Sequence, residues 1–124
     1  MKILSLLFAL LVSSNGINTA YADSFSSEID HLITYVTASN CSFIRNGSAH
    51  PASEAVEHMK KKYRYFRRKI NSAEQFIELS ASKSTLSGEP YWIKCPGTKE
   101  QHSREWLLEE LQRYRQKVKH APHH

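Results

Sequence analysis

The sequence predicts a small α+β domain, mostly helical, with about four helices and two short strands stapled by one disulfide. Three observations carry that class. Apolar residues recur at helical spacing in four separate stretches. Two short runs, Cys41 to Arg45 and Tyr91 to Cys95, read as strands and hold the chain's two cysteines. The N-terminal segment carries an export pattern, and export makes a disulfide the expected state of those cysteines.

The export pattern occupies residues 1–22. Lys2 supplies the positive start, and Ile3 to Val12 form an apolar run broken only by Ser5. Ala20-Tyr21-Ala22 then offers the small-x-small site of a signal peptidase. The run is too short to span a bilayer, which takes roughly 20 apolar residues. Cleavage after Ala22 is therefore expected to release a periplasmic protein starting at Asp23, with one domain over 23–119 and a flexible tail over 120–124. No second hydrophobic span follows, and no cysteine sits just after the cut to take a lipid. Membrane contact by the cleaved protein is expected to be peripheral.

Removing residues 1–22 from 124 leaves 102, enough for one small domain. Domains of this size bury a modest core and gain from a staple. A Cys41–Cys95 bridge spans 54 positions, a closure worth about 4 kcal/mol on the chain-entropy account. The competing role for the pair, as metal ligands or catalytic thiols, lacks close CxxC spacing. Lys and Arg number 17 against 12 acids. Loss of Lys2 leaves 16, a formal charge of +4. Outside the cytoplasm, such a surface suits an acidic protein or an anionic envelope component, and no nucleic acid.

Ile29, Leu32, Ile33 and Val36 follow the i, i+3, i+4, i+7 stripe of a first helix, with Ser26 or Ser27 able to cap it. The pattern fades at Ser39-Asn40, and Phe43 and Ile44 mark the first strand. Asn46-Gly47 is a turn signal because both residues tolerate positive φ. Pro51 suits the first turn of a second helix, whose Val56, Met59, Tyr63, Phe66 and Ile70 make a heptad-like seam. Asn71 with Glu74, or Ser72 with Gln75, offers a capping box for a third helix carrying Phe76, Ile77 and Ser80. Residues 80–90, rich in Ser and small residues, read as a loop. Pro96-Gly97 stops the second strand. Ser103 is the expected cap of a last helix lined by Leu107, Leu111, Tyr114 and Val118. There is no internal repeat.

Taken in order, several segments resemble a known family. Cys41-Ser-Phe-Ile-Arg-Asn-Gly47, the Glu54-to-Tyr65 helix, Ser72-Ala-Glu-Gln-Phe-Ile77, Ser87-Gly-Glu-Pro-Tyr91 and the Trp106-Leu107 helix look like the YfeK-like proteins. These are small exported proteins of Gram-negative bacteria whose domain has no assigned function. The resemblance covers nearly the whole mature chain and implies a single periplasmic domain. It brings no catalytic residues.

The strongest candidate for chemistry is the basic run Lys60, Lys61, Lys62, Arg64, Arg67, Arg68 and Lys69, which contains no acid. On one continuous helix, Lys60, Arg64 and Arg67 flank the apolar seam, Lys62 and Lys69 take the other flank, and Lys61, Tyr65 and Arg68 lie on the back. Seven like charges repel one another, a cost that an anion binding to the face would relieve. The alternative is a solvated helix whose long side chains cover the core edge. Arg45, before the Asn46-Gly47 turn and near a helix start, can add a fork for a carboxylate or phosphate, or can simply lead into a turn.

Other constellations are weaker. Ser80, Ser82, Ser84, Thr85 and Ser87 form a hydroxyl-rich loop, but a nucleophilic serine needs a base and an orienting acid, and no GxSxG elbow is present. His50, His58 and Glu54 exist without any linear reason to meet. Glu54 with Glu57, and Glu105 with Glu109, share helix faces as surface acids do. The tail histidines His120, His123 and His124 offer metal donors without a fixed geometry. Trp92 and Trp106 read as core or strand-face residues.

No catalytic residue, cofactor or metal is assigned. The expected function is non-enzymatic binding through Arg45, Lys60, Arg64, Tyr65, Arg67 and Arg68, possible in the concrete form of an inhibitor or immunity protein. The alternatives are a small envelope enzyme using the serine loop and His50, and a structural envelope factor with no dedicated ligand.

Overall fold

The computed structural model describes the backbone of residues 16–121 and the side chains of residues 25–121. The apolar run Ile3 to Val12 and the histidines His123 and His124 lie outside the described residues. The elements are α1 (Gly16–Ala38), β1 (Ser42–Arg45), β2 (Ser48–His50), α2 (Ala52–Tyr65), a 3₁₀ turn (Arg67–Lys69), α3 (Ala73–Ser80), β3 (Trp92–Lys94), β4 (Gln101–His102) and α4 (Ser103–Lys119). The four helices and both expected strands are present. Two further short strands extend the sheet, which is antiparallel in the order β2-β1-β3-β4.

The expected strands are the central pair. Phe43 pairs with Ile93, and Ser42 with Lys94. One step further along that register, Cys41 stands opposite Cys95, and the two are bonded. Asn46 at φ 49° and Gly47 at φ 80° make the tight turn that returns the chain as β2. Both angles are left-handed, the pattern a two-residue hairpin needs. Three-residue β2 and two-residue β4 are too short to show an alternation in sequence, so the pairing partners alone define them.

The helices cover one face of this sheet around a common core. Ile29, Leu32 and Val36 from α1, Val56 and Met59 from α2, Phe76 and Ile77 from α3, and Leu107 and Leu111 from α4 meet Phe43 and Ile93. The apolar stripes predict this packing. Trp106 is buried and lies edge-on to Phe43, at 5.8 Å between centroids. Trp92 is half-buried against His102.

Several boundaries differ from the sequence reading. α1 runs from Gly16, so Ser26 and Ser27 lie inside a helix and cap nothing. Pro51 is the N-cap residue of α2, and its fixed φ prepares the helix from just outside. α2 ends at Tyr65, because the backbone tightens into the 3₁₀ turn before Ile70 re-enters the core. The capping box of α3 uses Ser72 and Gln75: Gln75 N–H donates to Ser72 Oγ at 3.1 Å, and Asn71 N–H donates to Gln75 Oε1 at 2.7 Å. Ser103 does not cap α4; its hydroxyl donates inward to the Ala81 carbonyl at 2.7 Å. Val118 is exposed, since α4 has outrun the core there.

Ion pairs tie α4 to α1 and α3. Arg115 reaches Glu28 on α1 and Glu74 on α3, with four contacts between 2.7 and 3.0 Å. Those two carboxylates hold the Arg115 guanidinium firmly protonated, and its hydrogen bonds pull the Glu74 carboxyl below its ordinary value. Glu110, buried on α4, accepts from Arg113 and meets His31 Nε2 at 2.6 Å, while the His31 ring stacks on Tyr114.

Because the bridge closes a 54-residue separation, replacing Cys41 and Cys95 together by alanine should lower unfolding stability by roughly 2–5 kcal/mol. Urea melts of the oxidised and double-variant proteins measure the difference. Equal midpoints would show that the staple contributes nothing.

Candidate functional site

On β1, alternation sends Phe43 and Arg45 to the same side. Phe43 enters the core, and Arg45, at the strand end, emerges half-buried beneath α2. The α2 residues that meet it are His58, Lys61, Lys62 and Tyr65, a stripe at i, i+3, i+4 and i+7. Opposite them stands the segment from Ser82 to Tyr91. It folds back on itself through Ser84 N–H to Glu89 O, Gly88 N–H to Ser84 O and Tyr91 N–H to Ser82 O, each at 2.9 Å. Its Ser87 hydroxyl donates to Asn46 Oδ1 at 2.9 Å, fastening it to the β1–β2 turn. Between these walls lies a cleft of about 340 Å³.

Lys62 is the least expected member. It is 9% exposed, whereas an uninterrupted amphipathic pattern puts it on a solvated flank. It follows Met59 by three residues and so sits on the inward side, where its Nζ donates to the Lys83 carbonyl at 2.7 Å. A second donation, at 3.4 Å, goes to the Tyr91 hydroxyl, and the ammonium lies 5.2 Å from the Tyr91 ring centroid. Burial, with the charges of Arg45 and Lys83, lowers the Lys62 pKa. Burial raises that of Tyr91, against the opposing pull of Arg45.

His58 completes the group, with Nε2 at 3.0 Å from the Tyr91 hydroxyl. Burial first, then Arg45, Lys62, Lys61 and His50, bring its pKa from 6.5 down to about 4. His58 is therefore neutral at pH 7. Lys62 can only donate, so the Tyr91 oxygen accepts from it. Arg45 Nε is buried and has no hydrogen-bond partner among the described residues. No Asp or Glu lines the cleft.

The remaining candidates divide. Lys60, Arg64, Arg67 and Arg68 are exposed, and Tyr65 is 79% exposed. Because α2 stops at Tyr65, Arg67, Arg68 and Lys69 leave the helical projection and line a second depression with Arg64, Tyr65 and Phe66. Arg67 keeps its place beside Arg64, since both border Tyr63. Among the described residues, none of these cations nor Arg45 forms an ion pair.

The serine loop and His50 do not converge. His50 Nδ1 lies 2.9 Å from Glu54 Oε1, and neither lines the cleft. The Ser82 hydroxyl donates to the Ile77 carbonyl, and Ser80 is fully buried. Ser84 reaches the cleft, beside His58 and away from His50, while its Oγ accepts from Ser87 N–H. Sequence reasoning placed Lys62 on a solvated flank, gave His58 no partner and read Tyr91 only as the start of a strand, so it missed their meeting. The signal was the second stripe on α2, which a purely apolar count passes over because it holds a histidine and lysines.

The fold and the site define a small disulfide-stapled α+β domain with a basic cleft between its second helix and the segment that leads into its third strand. Residues 23–115 match the family described as "Family of unknown function (DUF5329)", and the chain belongs to that family. It is also 49% identical over 49 residues to "Uncharacterized protein YfeK" of Salmonella typhimurium, a match covering 40% of this chain and 41% of that protein. The matched part thus spans about two fifths of the length of this curated relative. No solved structure matches the chain. Among the described residues, no helix is long and apolar enough to cross a membrane, and no three His, Cys, Asp or Glu side chains group as a metal site.

The neutral state of His58 has a consequence for stability. Its folded pKa is depressed, so as pH falls from 6.5 toward about 4 the unfolded chain takes up a proton that the folded chain refuses. Stability should fall through that window and lose nothing further from His58 below it. His58→Gln, which keeps a hydrogen-bonding group for Tyr91, should flatten the loss in urea melts taken between pH 7 and pH 4. An unchanged slope would show that His58 is protonated normally.

Proposed function

We propose that this domain is a periplasmic, non-enzymatic binding protein that engages an acidic protein or an anionic envelope component through its basic face. The observation that carries the reading is the unpaired state of Lys60, Arg64, Arg67, Arg68 and Arg45 among the described residues. Five acids elsewhere are engaged by arginines: Arg104, Arg113 and Arg115 hold Glu78, Glu105, Glu110, Glu28 and Glu74. Cations gathered without counter-charges repel one another, and an arriving anion relieves that repulsion.

Export is supported by the pattern of residues 1–22, by the disulfide and by a family match that starts at residue 23. Cleavage after Ala22 lies upstream of Phe25 and Ile29, the first core-packed side chains among the described residues. The scattered positions of His50 and the serines favour binding over hydrolysis.

The test is charge reversal. Lys60→Glu, Arg64→Glu and Arg67→Glu together should leave the melting curve in place. Capture of envelope components from a Gram-negative extract by the mature, oxidised protein should drop by roughly tenfold at low salt, and by less as salt rises. Mass spectrometry of the captured material identifies the partner. Unchanged capture would reject the face.

A further inference from the structure

We propose that the cleft between α2 and the Ser82–Tyr91 segment binds a small amphiphilic anion, a compact carboxylate or phosphate headgroup carried on an apolar stem. This rests on the anion-binding reading above and assigns the ligand to the cleft, which shares Arg45 with that reading and is lined by none of Lys60, Arg64, Arg67 or Arg68.

The headgroup end is set by Arg45, Lys61 and Lys62, three cations without an acid in the lining. Buried donors in folded proteins are normally paired, yet Arg45 Nε has no partner among the described residues. Lys62 has three N–H groups and two protein acceptors, the Lys83 carbonyl and the Tyr91 hydroxyl. Lys62 keeps one N–H, and the Arg45 guanidinium donates to no protein acceptor among the described residues, so neither breaks a bond that holds the fold when an oxyanion approaches. Ser84 and Thr85 add hydroxyls along the opposite wall.

The stem end is set by apolar side chains that the fold leaves in water. Tyr65, Leu86 and Val118 are the large hydrophobic residues exposed among the described ones. Two of the three, Tyr65 and Leu86, border this cleft. Leu86 is 99% exposed, and it sits at the tip of a segment held by its own backbone hydrogen bonds and by Ser87 to Asn46. Tyr65 lies edge-on to Phe66 at 4.8 Å and forms the facing rim. Cations at the base and apolar groups at the rim match a ligand with an anionic head and an apolar body. The volume of about 340 Å³ is at the small end for organic ligands, which occupy roughly 300–1,000 Å³. A concave site of that size favours one small molecule over a lipid surface or a folded partner.

Isothermal titration of the mature, oxidised protein with hexyl phosphate, hexanoate, inorganic phosphate and hexanol tests the assignment. At least one of the two amphiphiles should bind about tenfold or more tightly than both inorganic phosphate and hexanol, since each buried methylene adds roughly fourfold. The better of the two names the headgroup. Arg45→Gln should weaken that amphiphile at least tenfold, and Lys61→Gln on the exposed side of α2 serves if Arg45→Gln does not fold. Leu86→Ser should weaken the amphiphile while leaving inorganic phosphate unchanged.

Equal affinity for the amphiphiles and inorganic phosphate would overturn the proposal, as would hexanol binding as well as hexyl phosphate, or no binding at millimolar concentration. Leu86-dependent binding to phosphatidylglycerol vesicles without any binding of hexyl phosphate or hexanoate would overturn it in favour of a membrane surface. The Lys60, Arg64 and Arg67 reversal separates the two readings, because none of those residues lines the cleft. Retained amphiphile affinity in that variant supports the cleft whether or not envelope capture survives. Lost affinity there, with Arg45→Gln silent, would move the anion to the outer face and reject the cleft.

Discussion

The register of β1 against β3, locked by the Cys41–Cys95 bond, is the constraint on which the rest of the molecule depends. Strand side chains alternate, so a slip of one residue would turn Phe43 out of the core and carry Arg45 away from α2. β3 fixes the other wall, since Tyr91 immediately precedes it and its hydroxyl meets both Lys62 and His58. Short strands specify register poorly by themselves. The covalent bond beside the Ser42–Lys94 pair removes that freedom, and both walls of the cleft inherit their positions from it.

Charge is distributed in two regimes around this frame. Along α1, α3 and α4, arginines and glutamates are matched in bidentate or bridging pairs, which helps hold three helices whose stripes alone leave their rotation free. Along the second half of α2 and the 3₁₀ turn, cations stand without acids. Lys62 and Arg64 in the last turn of α2 interact favourably with the helix carbonyl end, which offsets part of the repulsion. That local gain accounts for two cations at most and gives no reason for Arg45, Lys61, Arg67 or Arg68.

Four helical stripes and two strands flanked by the cysteines were legible because each has a periodic or covalent signature. The Asn46-Gly47 turn was legible because its backbone angles demand those residues. β2 and β4 were hidden, as two or three residues cannot display a period. The end of α2 was hidden for a different reason: Tyr63, Phe66 and Ile70 keep helical spacing while the backbone between them tightens to 3₁₀, and Ile70 is buried all the same. The basic run was visible as composition, but its division into a cleft side and an outer side depends on Lys62 lying inward. A lysine that hydrogen-bonds a carbonyl across the fold leaves no trace in linear spacing.

The direction of hydrogen bonding around Tyr91 links this buried lysine to recognition. Lys62 donates to Tyr91, whose hydroxyl also meets a His58 that burial keeps neutral. The polar groups at the base of the cleft are thereby joined in one cluster beside Arg45. Were His58 protonated, the Tyr91 oxygen would face two cationic donors. The same burial that lowers the His58 pKa therefore keeps a further positive charge out of the cluster. Because the donors are already placed when an anion arrives, little reorganisation is needed to meet it. The disulfide-fixed strands, the inward lysine and the neutral histidine form one arrangement, and each is intelligible only with the other two in place.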